Sequence, residues 1–201
     1  MNLYNVLLTQ VHLIKDRIST LYYKWNLSLL GAVVGRNIRF SGNLMLMKDK
    51  KSTLVIGDNF TCFSSSYRNP LCQNIQSSIC VNTNAVLTIG DNVGISSVCI
   101  WCHKKISIGN NVAVGAGTVI LDSDCHSLNY IDRRNNELDE KNANSQDITI
   151  GNDVLIGTSC IILKGVRIGD RVVIGSNSVV TRDLPSDSIA AGNPCKILRT
   201  N

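Results

Sequence analysis

The sequence predicts an all-β solenoid of short strands, and three observations carry that reading. First, five segments share one template: Ile56-Gly57-Asp58-Asn59-Phe60, Ile89-Gly90-Asp91-Asn92-Val93, Ile108-Gly109-Asn110-Asn111-Val112, Ile150-Gly151-Asn152-Asp153-Val154 and Ile168-Gly169-Asp170-Arg171-Val172. Second, every sixth residue from Ile150 through Ile156, Ile162, Ile168 and Ile174 to Val180 is aliphatic, and Ile108, Val114 and Ile120 repeat the phase. Third, aromatics are only 5% of a chain that is 44% hydrophobic, so Ile and Val must fill the interior. A heptad would step by three and four; a step of six marks a flat-sided coil.

The elements follow in chain order. Residues 1–30 carry Tyr4, Leu7, Val11, Ile14, Ile18, Leu21 and Trp25 at steps of three and four, which predicts a short amphipathic helix. Residues 31–201 hold the repeat. In each hexad the aliphatic residue points inward and the Gly-Asp/Asn pair turns the corner, because Gly and Asn tolerate unusual backbone angles. Three sides make a coil of about 18 residues, and stacked coils bury a shared aliphatic column. The frame breaks once: Ile108 and Ile150 lie 42 residues apart, one coil plus about 24 more. The excess, residues 122–147, is rich in Asp, Asn, Ser, Arg and Glu and reads as a protruding functional loop. Pro185 and Pro194 end the repeat within a C-terminal segment, 176–201.

Composition excludes several classes. A net charge of +5 is mild, and the basic pairs Lys104-Lys105 and Arg133-Arg134 are short, so no nucleic-acid partner is expected. Residues 1–30 lack a small-residue cleavage site after a short apolar core, and no apolar run is long enough to span a bilayer. The eight cysteines are therefore read as reduced core residues of a cytoplasmic protein, possible contact with the inner face of the membrane resting on residues 1–30. Cys99-Ile100-Trp101-Cys102-His103 matches the haem-attachment pattern, but haem would need export and a second ligand, and the segment lies inside the repeat. With only His12, His103 and His126 as histidines, a three-histidine zinc site of the γ-carbonic anhydrase kind is missing, and no metal is expected.

The [Ile/Val]-Gly-x-x-x-x pattern resembles the hexapeptide-repeat acyltransferases, over roughly residues 31–201. That resemblance implies a left-handed parallel β-helix, against the usual right-handed crossover preference. It also implies a homotrimer with active sites between neighbours. The segment Asp122-Ser123-Asp124-Cys125-His126-Ser127 resembles the loop histidine of the sugar O-acetyltransferase branch, which includes the galactoside and maltose enzymes and those that modify capsule or O-antigen polysaccharide. The resemblance makes His126 the general base that activates a sugar or glycan hydroxyl toward the thioester of acetyl-CoA. Asp124 or Asp122 is the local candidate to orient the imidazole. Cys125 beside His126 raises an acyl-cysteine route, but neighbours on an extended chain point to opposite faces.

Ser96 and His103 stand where the galactoside-type enzymes carry acceptor-binding Asn and acidic residues, so both are candidate substrate contacts of altered type. The stretches 178–185 and 190–199 resemble the family's coenzyme A signature. By that resemblance Thr158 and Ser176 lie beside the pantetheine arm, Thr181 and Arg182 meet the phosphates, and Lys196 and Arg199 approach the nucleotide. Leu155 replaces a tryptophan that lines the groove in many relatives. An antibiotic acetyltransferase or a non-catalytic β-helix scaffold are the alternatives.

Overall fold

Helix α1, Leu3–Leu29, leads into three sheets that the chain visits in rotation in the computed structural model, which describes residues 2–73 and 75–200. Val33–Val34 enters the first sheet, Arg39–Ser41 the second and Leu44–Lys48 the third; Thr53–Ile56 then returns to the first. Up to Val179–Val180, strands pair in parallel with the strand three further on, as in Ile106↔Ile148 and Ile156↔Ile174, and Val173–Ile174 then pairs in parallel with Ser188–Ala191. Among the described residues the sheets have six, eight and six strands, and only the last pair of the second sheet, Ser188–Ala191 with Lys196–Thr200, is antiparallel.

The aliphatic column lies where the period of six puts it. Ile56, Ile89, Ile108, Ile150 and Ile168 stack from the first sheet, Ile95, Val114, Ile156 and Ile174 from the second, and Ile100, Ile120, Ile162 and Val180 from the third, all buried. Burying each such side chain contributes roughly 1.5–3 kcal/mol.

The corner between the first and second sheets corrects one expectation. The template glycines do not take positive φ; that role falls to the residue two further on, Asn59 (φ 60°), Asn92 (57°), Asn111 (57°), Asp153 (57°) and Arg171 (57°). The glycines are required by contact between coils: a Cβ on Gly90 would lie 2.7 Å from the Gly109 carbonyl oxygen. Between them, the Asp/Asn position forms a ladder. The Asp58 N–H donates to Asp91 Oδ1 (2.7 Å), the Asp91 N–H to Asn110 Oδ1 (2.8 Å), the Asn110 N–H to Asn152 Oδ1 (2.9 Å) and the Asn152 N–H to Asp170 Oδ1 (2.7 Å). Each coil thereby caps the backbone of the one before it.

A second excursion, residues 64–76, separates Thr61–Phe63 from Ser77–Val81 and escaped the repeat analysis. It seats helix α1: the Tyr67 hydroxyl and Arg68 Nε donate to the Asp16 carboxylate, each at 2.6 Å, and His12 stacks on Tyr67 at 4.0 Å. The same helical face buries Tyr23 and Leu27, and the Leu44 N–H donates to the Tyr23 hydroxyl at 2.8 Å.

Candidate active site

The loop leaving the third sheet after Val119–Leu121 is ordered from its root. An antiparallel bridge joins Ser123 to Ser145, and the Gln146 and Asp124 N–H groups donate to the carbonyls of Asp122 (2.9 Å) and Asn144 (3.0 Å). Asp122, fully buried, accepts the backbone N–H groups of His103 (2.7 Å), Lys104 (2.8 Å) and Lys105 (2.8 Å). Further out a 3₁₀ turn, Asp132–Arg134, precedes the short helix α2, Asn136–Asn142, which the Asn135 side chain caps by accepting from the Glu137 and Leu138 N–H groups.

Helix α2 delivers the partner of His126. Asp139 Oδ2 lies 2.7 Å from His126 Nδ1, while Asp139 Oδ1 accepts the Ser127 N–H at 2.7 Å. The bond from His126, followed by that from Ser127, holds the Asp139 carboxyl below its ordinary value. An ionised carboxylate only accepts, so Nδ1 donates in this contact, and in the neutral ring that arrangement leaves the lone pair on Nε2. The His126 side chain is 70% exposed, and its Nε2 makes no hydrogen bond among the described residues.

This corrects both acidic candidates. Asp124 does not touch His126; it pairs with Lys164 at 2.9 Å. Asp122 is turned into the coil to hold the 103–105 backbone, so it too is unavailable to the imidazole. Asp139 was missed because the loop holds several acids, and only the fold of α2 selects one.

His103 sits one coil below Ser123, at the same corner. The Trp101 indole N–H donates to Asn82 Oδ1 (3.1 Å), which turns the Asn82 amide N–H toward His103 Nδ1 (3.0 Å). Nδ1 must then accept, leaving the proton on Nε2. Burial pushes the His103 pKa down, which favours this neutral ring. His103, Asn82 and Ser123 line a cleft of about 700 Å³ together with Asp49, Lys48 and Glu140. Cys125 lies 3.8 Å from His103 Nε2, and burial raises its thiol pKa, against an acyl-cysteine route. The Cys102 sulfur is buried, its pKa pushed up to about 12.

Ser96, Thr158 and Ser176 come together elsewhere, in a trench of about 420 Å³ along the outer face of the second sheet. Small residues (Gly94, Ala113, Gly115 and Gly157) make its floor, and Leu155 lines its side. The Thr158 N–H donates to Ser176 Oγ at 3.2 Å, so the two stack on successive coils. Lys196 and Arg199 lie in the antiparallel strand that extends this sheet. Three residues apart, they would face opposite ways on a regular strand, but a register shift between Ile189 and Ala190 pairs Lys196 with Ala191 and Arg199 with Ile189. Both then share the outer face, since Ala190 points inward. Thr181 and Arg182 leave the third sheet after Val179–Val180, both exposed, and the Cys195 N–H donates to the Val179 carbonyl at 2.8 Å, which brings the start of the Lys196 strand to that edge. The trench and the two exposed cations lie on one sheet, with Ser188–Ala191 between them.

Residues 147–182 match the bacterial transferase hexapeptide (six repeats) family. That stretch resembles the repeat of the hexapeptide transferases, and the similar proteins include sugar O-acetyltransferases. Galactoside O-acetyltransferase of Escherichia coli (strain K12) is 43% identical over 113 residues, 56% of this chain and 43% of that one. The chain spans less than half the length of the curated relatives it matches. A galactoside acetyltransferase in complex with coenzyme A superposes with a TM-score of 0.55 at 26% identity, covering 86% of this chain and 68% of the other. A hexapeptide-repeat acetyltransferase of Vibrio cholerae O1 biovar eltor, complexed with acetyl coenzyme A, gives 0.53 at 29% identity over 78% and 70%. No group of three or more metal-ligating side chains converges among the described residues, and no described helix is long and apolar enough to cross a membrane.

Proposed function

We propose that the chain transfers an acetyl group from acetyl-CoA to a sugar hydroxyl, with His126 as general base and Asp139 as its positioning partner. The observation that carries this is the imidazole held through Nδ1 by a carboxylate, with Nε2 open to solvent. His126 Nε2 takes the hydroxyl proton while the acceptor oxygen bonds to the thioester carbonyl carbon. As the C–S bond breaks, the same nitrogen gives that proton to the departing sulfur. Asp139 keeps the productive tautomer and stabilises the transient imidazolium.

The cofactor trench, with Thr158, Ser176, Lys196 and Arg199, is the binding surface for coenzyme A in this reading, and Ser96, His103 and Asn82 are acceptor contacts. The trench belongs to the second sheet and the base to a loop from the third, so one chain keeps the two apart. That separation supports a trimer of left-handed β-helices in which one subunit's loop faces a neighbour's trench. The galactoside-acting relative supports a sugar acceptor.

The test is free-thiol release from acetyl-CoA with nucleotide-linked sugars, glycosides and antibiotics as acceptors, for the wild type and His126→Ala. Acceptor-dependent release that collapses in the variant supports the reading. Equal rates in both proteins remove His126 as the base, and release with antibiotics alone removes the sugar.

A further inference from the structure

Helix α1 is seated by one face only. His12, Asp16, Thr20, Tyr23 and Leu27 meet the solenoid, and the opposite face carries the apolar stripe from Tyr4 to Trp25, exposed along its whole length. Leu8, Tyr22 and Leu29 widen that stripe, and at 100° per residue it covers an arc of about 140°. A two-helix seam uses a narrower band.

Charge separates the possible occupants. The sole acid of α1, Asp16, is turned toward Tyr67 and Arg68. Its three cations, Lys15, Arg17 and Lys24, are exposed, and none pairs with a carboxylate among the described residues. In the heptad frame of the stripe these cations occupy the flanking positions. Packing α1 against its own copy would therefore bring like charges together. A wide apolar face bearing Tyr4, Tyr22 and Trp25, with Arg17 and Lys24 along one side and Lys15 near its other edge as the only charges close to it, has the chemistry of a helix lying in an anionic membrane interface.

We propose that α1 docks this protein on an anionic phospholipid surface, lying in the headgroup plane without crossing it. The inference stands independently of acetyl transfer. Flotation of the full chain with vesicles of phosphatidylcholine, alone or mixed equally with phosphatidylglycerol, tests it. The wild type should float with the mixed vesicles, less with the neutral ones, and less as salt rises. Replacing all three cations (Lys15→Gln, Arg17→Gln, Lys24→Gln) should weaken retention about a hundredfold, at roughly fivefold per cation. Ile14→Ser with Ile18→Ser should abolish it with the melting temperature unchanged, because both side chains are exposed.

Retention that is absent, equal on both vesicle types, or unaltered by either variant overturns the proposal. So does a wild type that ignores vesicles and whose sedimentation mass falls in the double-serine variant, an outcome that assigns the stripe to a second copy.

Discussion

Two corners of the same solenoid are built on opposite plans. Between the first and second sheets, coil after coil repeats one device: a glycine for close approach, an Asp or Asn capping the previous coil, and a left-handed residue after it. Between the third and first sheets no two coils agree. That corner presents Asp49, Asn82, His103, Ser123 and Gly165 in turn, and releases the loop that bears His126. Uniformity secures the stack, because each rung satisfies the same backbone donors. Chemistry needs particular side chains at particular heights, so it resides where the repeat is abandoned.

The contrast can be broken most sharply at His126. His126→Ala should lower turnover by a factor of about 10²–10⁴, while the melting temperature stays put because the ring supports no coil; thiol release and calorimetry check both. At the uniform corner the effects reverse. Gly90→Ala drives a Cβ to 2.7 Å from a backbone oxygen of the next coil. It should cost about 3 kcal/mol in urea unfolding and leave the loop geometry of any folded molecules unchanged.

Asp139→Asn sharpens the comparison further. The change removes the carboxylate that holds the imidazole, so turnover should fall roughly ten- to a hundredfold with KM for acetyl-CoA unchanged. Because the Asp139 pKa is depressed in the folded state, its contribution is complete above pH 3.8 and lost as pH falls below that value. The smallest effect belongs to His103. Its folded pKa is lowered, so acidification below about 6.5 protonates the unfolded chain first and stability declines. His103→Gln should flatten that slope in melting curves recorded at successive pH values.

The period of six made the sheets and the aliphatic column readable, because every coil restates the same geometric requirement. Where a residue's role depends on an unrepeated contact, the string alone was a poor guide. The 33-residue spacing from Ile56 to Ile89 held the excursion at 64–76 in plain view, yet its mixed composition lacked the polar bias of the later loop. Asp124, adjacent in sequence, was a natural partner for His126, but a 13-residue return through α2 brings Asp139 instead. The shared face of Lys196 and Arg199 rests on a register shift that no alternation rule reveals.

The closing antiparallel strand, Lys196–Thr200, has one more consequence. Every parallel edge in a solenoid is an invitation for another coil, whether from the same chain or a stranger's. Doubling back against Ser188–Ala191 gives the second sheet a final rung of the wrong polarity, and α1 shields Arg39–Ser41 at the far end. Growth is thus opposed at both ends of that sheet.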